Sequence, residues 1–194
     1  LVREKSRVIT GYSKIILILV LILYPEKKKI KLTPTAARKK LENYCAYQER
    51  CHSEVRTKLF DYGLFTKEVD EIVAYLITHN FLNEERFAES FASGKFRIKH
   101  WGKNKIKQAL KLKQVSDYSI KKALTAIDGD EYFAVLKKVA AKKSESVKID
   151  GRGKNAEQKL YQKKYKVISY LLSRGFESDL VNEALREIEV SSEI

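Results

Sequence analysis

The sequence predicts an all-α protein built as an elongated tandem array of three three-helix units. Three observations carry that expectation. Among 194 residues there are only 8 Gly and 2 Pro, too few for a sandwich or barrel that must turn back every ten residues or so. A hydrophobic content of 44%, with 10% aromatic residues, is enough to fill a core and excludes a disordered or collagen-like chain. Finally, apolar residues recur at fixed offsets around three anchors, Gly63, Gln114 and Gly175, set 51 and then 61 residues apart.

Residues 1–32 read as an N-terminal extension, apart from the fold and either spurious or disordered; the chain opens at Leu1 and contains no Met. An accessory strand or helix and an export signal are the alternatives. Ile15 to Tyr24 is a ten-residue apolar run behind Arg3, Lys5, Arg7 and Lys14, shaped like the start of a secretory signal. No small-residue cleavage site follows it, and ten residues are too few to span a bilayer about 30 Å thick as a helix. A membrane association is therefore not expected.

The repeat occupies 33–80, 81–129 and 130–194. Four residues before each anchor stand Leu59, Leu110 and Leu171, and eight before stand Val55, Ile106 and Val167, an i, i+4 spacing that marks one helix face. After the anchors Leu64, Val115 and Phe176 come first, then Val69, Ile120 and Val181, with Leu76, Ile127 and Ile188 at plus thirteen. These offsets trace a second helix, joined to the first by a turn in which glycine takes the left-handed conformation. Gln114 would meet a steric cost there, so the second joint is expected to bend differently.

A further helix opens each unit. Ala36 to Gln48 carries Leu41, Tyr44, Cys45 and Tyr47; Asn83 to Phe96 carries Phe87, Ala88 and Phe91; Tyr132 to Lys143 carries Phe133, Leu136, Val139 and Ala140. The additional ten residues of unit three read as a loop at 148–156. Ser53, Thr66 and Ser116 are expected N-caps, and Asn83 precedes the acidic pair Glu84 and Glu85. Units that contact mainly their neighbours form a curved rod.

The chain carries 39 Lys+Arg against 25 Asp+Glu, a net charge of +14, which points to a polyanionic partner or an acidic protein surface. The charge is concentrated. Lys95, Arg97, Lys99, Lys103, Lys105, Lys107, Lys111 and Lys113 fall in one window without an acid, around Trp101 and Gly102. Lys103, Lys107 and Lys111 recur every four residues and form a stripe along one helix face. The candidate contacts with such a partner are Lys95, Arg97, Lys99, Lys103, Lys107 and Lys111, followed by Arg50, Arg56, Lys159, Lys163 and Arg174. Without a recognition helix rich in Asn, Gln and Arg, binding to single- or double-stranded DNA should be non-specific.

Catalysis is not expected. The sequence has no phosphate-binding glycine loop, no nucleophile elbow and no zinc-protease motif, and His52, His79 and His100 fall in different parts of the repeat. Cys45, Cys51 and His52 lack zinc-ligand spacing and a second ligand pair, so neither a metal nor a cofactor is expected. Two cysteines cannot form a secreted disulfide framework, and free thiols in a reducing cytoplasm follow. Arg86 reads as a junction residue and Phe87 as core.

Three segments stand out in order: Arg50-Cys51-His52-Ser53-Glu54-Val55-Arg56-Thr57-Lys58-Leu59, Phe81-Leu82-Asn83-Glu84-Glu85-Arg86-Phe87-Ala88 and Ser173-Arg174-Gly175-Phe176. They resemble, respectively, the R-x-x-S-E-x-x-x-K-L, G-Y-L-D-D-x-R-F-A and x-R-G-F patterns of the RecX family. Asn83 and Glu84 replace two Asp, Gln114 replaces a frequent Gly, and residues 1–32 match nothing in the family. The resemblance covers about residues 35–190 and implies a small cytoplasmic regulator, expected as a monomer. It would bind the RecA–DNA filament and inhibit or modulate RecA's ATPase and strand exchange, in DNA repair and the SOS response. The alternatives are a non-specific architectural DNA-binding protein and a membrane-tethered scaffold using Ile15 to Tyr24.

Overall fold

The structure, a computed structural model, describes residues 31–149 and 155–192. The apolar run at 15–24, like the rest of 1–30, lies outside the described residues, as do residues 150–154 of the expected loop. Among the described residues there are nine α-helices and no strand. The first three are α1 (Pro34–Tyr47), α2 (His52–Asp61) and α3 (Thr66–Thr78), followed by α4 (Glu84–Lys99), α5 (Lys103–Leu112) and α6 (Asp117–Thr125). The last three are α7 (Gly129–Ser146), α8 (Ala156–Ser173) and α9 (Ser178–Ser192). Helices pack in triplets: α1 and α2 lie on α3, α4 and α5 lie on α6 and on each other, and α7, α8 and α9 all touch.

Both apolar series point inward. Val55, Leu59, Ile106, Leu110, Val167 and Leu171 are buried, as are Leu64, Val115, Phe176, Val69, Ile120 and Val181. Unit one has a core of its own around Leu41, Leu59 and Leu76. Units two and three share one, in which the rings of Phe96, Tyr132 and Phe176 follow one another at centroid distances of 5.6 and 5.5 Å. Cys51, from unit one, packs into that shared core. Tyr47, expected on the inner face of α1, is 86% exposed, because α1 ends there and the chain turns away.

All three anchors take the same joint. Gly63, Gln114 and Gly175 have φ of 78°, 62° and 88°. At each, the anchor N–H reaches the carbonyl three residues back (Phe60, Lys111, Leu172; 2.9 Å), and the next N–H reaches Leu59, Leu110 or Leu171 at 3.2–3.4 Å. This pair of bonds is the Schellman motif, which satisfies the last carbonyls of a helix. The second joint therefore does not bend differently: Gln114 accepts the left-handed conformation because the two bonds and the burial of Val115 fix the turn.

Of the three expected caps, Ser116 alone holds, and Asn83 caps α4 as well. Ser116 accepts from the Ser119 N–H and Asn83 from the Arg86 N–H. Thr66 is instead the first helical residue of α3, where Glu68 reaches back to the Phe65 N–H at 2.8 Å. Ser53 lies inside α2, and its hydroxyl donates to the Lys113 carbonyl of the next unit at 2.8 Å.

That bond belongs to a pattern. The C-terminal end of α5 meets the N-terminal turn of α2, and the C-terminal end of α8 meets that of α5. At the second contact the Gly102 N–H donates to the Arg174 carbonyl (2.9 Å), the Asn104 N–H to the Gly175 carbonyl (3.0 Å) and the Lys103 N–H to the Tyr132 hydroxyl (2.9 Å). The second helices of the three units thus run head to tail, positive end to negative end. Gly102 has no side chain to cap α5 with, and the following unit supplies the acceptors that a capping side chain would. The α8 N-terminus has its own capping box, with Asn155 and Gln158 bonding reciprocally. At the other end the Leu32 N–H donates to the Tyr62 carbonyl at 3.0 Å, the position held by Lys113 and Arg174 in the other units. Lys31 and Leu32, expected in the extension, therefore close the first unit.

Unit three's second helix is longer than its counterpart in unit two. Helix α8 has 18 residues against 10 for α5, so its N-terminal two turns overhang the repeat; of the loop expected at 148–156, residues 148, 149 and 155 lie outside helices, Ala156 opens α8, and 150–154 lie outside the described residues.

At the second contact Gly102 and Gly175 press backbone to backbone; a Cβ on Gly102 would overlap the Gly175 carbonyl and the Phe176 nitrogen. Gly102→Ala is expected to lower stability by about 1–3 kcal/mol through overpacking. Gln114→Gly should raise it by about 0.5–1 kcal/mol by relieving the left-handed strain. Chemical denaturation of both variants checks this pair of opposite signs.

Candidate nucleic-acid and protein interface

Two inter-unit joints hold the basic side chains in place. Between units one and two, the Lys113 ammonium meets the Glu54 carboxylate at 2.5 Å and the Arg86 Nε meets Glu49 at 2.8 Å. Arg86 also donates to the Asn80 side chain and carbonyl. It thus serves the junction, with Phe87 buried beside it. Burial pushes the Glu54 carboxyl up, but the Lys113 ammonium and the donors of Cys51 outweigh it, leaving Glu54 below the usual glutamate range. Lys113 is raised by the same hydrogen bond. Glu84 likewise ends below its usual range: burial raises it, but the hydroxyls of Ser116 and Ser119, at 2.5 and 2.8 Å, together outweigh that.

Between units two and three the Tyr132 hydroxyl accepts from Lys103 and donates to Glu177 at 2.6 Å. Burial, then the Glu177 carboxylate, hold this phenol far above its ordinary range, so it stays protonated. Arg174 reaches across the joint, its guanidinium donating to the carbonyls of Lys99 and His100 and lying over Tyr170. An arginine expected to contact a partner is therefore spent on a helix C-terminus, where its charge offsets the negative end of α4.

The other candidates separate into distinct places. Arg50, Lys95 and Lys99 come together, with Lys113, in a cleft of about 400 Å³ between units one and two, lined also by Phe87, Phe91, Ile98 and the acidic Glu49 and Glu54. Arg50 stacks 4.1 Å over Tyr44, and its Nε is buried without a hydrogen-bond partner among the described residues. Lys95 lies 5.1 Å over Phe91 and 5.2 Å over Trp101, whose ring Lys105 also approaches, at 5.0 Å. Lys103, Lys107 and Lys111 do line one groove, between α5 and α6. Lys107 and Lys111 also border a second, between α5 and the end of α8. Lys111 pairs with Asp117 at 3.2 Å and Lys103 lies 4.8 Å over Tyr132, while Lys107 is exposed.

Arg56 and Arg97 stand apart, each in an exposed ion pair, with Asp70 at 2.6 Å and Glu131 at 3.3 Å respectively. Such pairs contribute little to stability. Lys159 and Lys163 are half-buried on the overhanging part of α8. The cations therefore occupy a cleft and two grooves rather than one continuous concave face. Sequence reading passed over Lys113 and Tyr132 as site-forming residues. For Tyr132 the signal was present, since a tyrosine at an inward position of α7 needs a partner for its hydroxyl.

No group of His, Cys, Asp or Glu that could hold a metal occurs among the described residues. Cys45 and Cys51 are buried free thiols, and burial pushes Cys45 up to about 11, which leaves it a core residue without thiolate reactivity. No helix among the described residues is long and apolar enough to cross a membrane.

RecX-family descriptions match at residues 83–124, as the second three-helix domain, and at 130–185, as the third, together just over half of the chain. The chain belongs to the RecX family. Regulatory protein RecX of Clostridium perfringens is 30% identical over 139 residues, covering 72% of this chain and 62% of that relative. The Lactococcus lactis subsp. lactis protein of the same name is 30% identical over 152 residues, 77% of this chain and 54% of the relative. This RecX-family chain thus spans less than two thirds of the length of these relatives. In fold it is similar to the crystal structure of RecX from Lactobacillus salivarius, with a TM-score of 0.69 and 22% identity over 81% of this chain and 97% of that one. The relatives are named regulatory proteins.

Glu54 and Glu84 have folded-state pKa values below their ordinary ones. Each therefore contributes stability that is present above the ordinary glutamate range and is lost as pH falls through the lowered folded values. Thermal melts from neutral to acid pH should show the loss, and the double variant Glu54→Gln, Glu84→Gln should show a flatter acid limb.

Proposed function

We propose that this RecX-family chain is a cytoplasmic regulator, not an enzyme, which binds the RecA nucleoprotein filament and inhibits or modulates its ATPase and strand exchange. Family membership supports the partner, and one structural observation supports the mode. Exposed cations at Lys99 and Lys107, with Lys95 and Arg50 set on aromatic rings, line clefts at successive joints of a helical array. Cations distributed over several clefts along the array suit an extended anionic assembly better than one compact ligand. Regulation then consists of occupying surface along the filament, and the chain binds as a monomer whose units each contribute a contact.

The bonds across the joints decide which candidates contact the partner. Arg174, Arg56 and Arg97 have carbonyl or carboxylate partners within the chain. Lys95, Lys99, Lys103, Lys107 and Arg50 remain as the principal contacts, with Lys111, which pairs with Asp117, and Lys159 and Lys163 behind them. A direct DNA component would be backbone-driven. Neutralising about six phosphates gives an affinity that falls on the order of a thousandfold between about 50 and 200 mM salt.

A non-specific architectural DNA-binding protein would carry similar clefts, and salt separates the two readings. In salt high enough to release bare DNA, sub-stoichiometric protein should still inhibit the RecA ATPase on single-stranded DNA; inhibition lost in step with DNA release supports the architectural reading instead. Lys99→Glu with Lys107→Glu should leave the melting temperature nearly unchanged and weaken filament binding more than tenfold. Equal binding by sedimentation would remove these clefts from the mechanism.

A further inference from the structure

The two additional turns that open α8 bury little of what they carry. Leu160, Tyr161 and Tyr165 are 65%, 72% and 63% exposed, and Leu172, further along the same helix, is 44% exposed. Tyr161, Tyr165 and Leu172 are separated by four and seven residues, so they fall on one side of the helix, with the tyrosines about 6 Å apart along its axis. The packed side, through Val167 and Leu171, lies about a third of a turn round the helix. Exposed tyrosines one turn apart on the solvent side of a helix have no role in a core.

The stripe does not end in solvent. Leu172 is also a wall of the groove between α8 and α5, whose other residues include Lys105, Lys107 and Lys111. Through Leu172, about 10 Å along the helix axis from Tyr165, that side of α8 leads into the cationic groove. Lys105 is anchored there by a bond to the Ser173 carbonyl at 3.1 Å. Of the 18 residues of α8 only Glu157 is acidic, against Lys159, Lys163, Lys164 and Lys166.

Aromatic faces followed by ammonium groups along one groove are the two parts that single-stranded nucleic acid requires. Stacking engages any base, and lysine follows the phosphates. A duplex keeps its bases stacked inside and cannot use the first part. We propose that the outer ridge of α8, continued by the α8–α5 groove, is a track for single-stranded nucleic acid. Two bases lie on Tyr161 and Tyr165, and the phosphates that follow lie at Lys107, Lys111 and Lys105. The track rests on the reading above that the chain works beside a single strand, and it assigns that strand a place outside the cleft between units one and two.

Binding of the full chain to an oligothymidylate, to an abasic phosphodiester strand of equal length and to a duplex tests it, with fluorescence anisotropy as the readout. The wild-type chain should prefer the oligothymidylate to the abasic strand at least tenfold. Tyr161→Ala and Tyr165→Ala should each reduce oligothymidylate affinity about fivefold or more, with abasic-strand and duplex affinities unchanged. Tyr161→Phe with Tyr165→Phe, which keeps the rings, should bind as wild type. Lys107→Glu should weaken both single strands alike. No wild-type preference for bases over the abasic strand, or a preference that survives loss of both rings, overturns the proposal. The RecA ATPase, assayed separately, keeps the two readings apart. Base-dependent binding without ATPase inhibition removes the filament reading and supports the track; inhibition without base-dependent binding does the reverse.

Discussion

The arrangement of this chain depends on one contact, used twice: the C-terminal turn of one unit's second helix against the N-terminal turn of the preceding unit's second helix. A helix N-terminus exposes amide hydrogens that need acceptors. Here Gly102, Lys103 and Asn104 find theirs in the Arg174 carbonyl, the Tyr132 hydroxyl and the Gly175 carbonyl. At the first joint Ser53 plays the corresponding part against the Lys113 carbonyl. Because those acceptors lie on another unit, the first turn of α5 is completed only when unit three is docked. The units are therefore coupled by backbone geometry as well as by apolar burial, and the requirement for glycine at 102 and 175 follows from the closeness of approach.

This coupling gives the basic residues their places. Lysines on isolated helices would point wherever the helix turned, but fixed joints hold Lys95 and Lys99 across a cleft from Arg50, and Lys107 beside the end of α8. Arg174 and Lys113, which stand at the same place in their repeats, have become parts of the joints, one over helix-end carbonyls and the other against Glu54. Positive charge in the sequence thus serves two ends: some of it holds the units together, and the remainder is exposed between them. RecX-family membership and the proposed filament partner agree with an array in which rigid joints repeat along an axis.

Much of this was legible in the residues. The offsets around Gly63, Gln114 and Gly175 locate the inner faces of two helices per unit, because burial imposes the helical period directly on the sequence. The stripe Lys103, Lys107 and Lys111 is read from spacing alone and lines one groove. What escaped is what depends on other units. Gln114 violates the local rule for a left-handed turn and is held there by surrounding bonds. Ser53 has the chemistry of a cap but bonds to another unit, and Arg174 has the charge of a contact residue yet caps a helix in its neighbour. The polar stretch 148–156 reads as a loop, but nothing in it signals that α8 starts two turns earlier than α5 does in its unit, or that Leu160, Tyr161 and Tyr165 have no core to point into.

Amide hydrogen exchange in the intact chain tests the coupling of the units most directly. The Gly102, Lys103 and Asn104 amides lie in the first turn of a helix with no side-chain cap, a position that normally exchanges rapidly. The account predicts protection comparable to that of Ile106 and Leu110 in the core. Exchange at the rate of an open helix end, with Ile106 and Leu110 still protected, would show that unit three does not complete α5 and would contradict the head-to-tail arrangement.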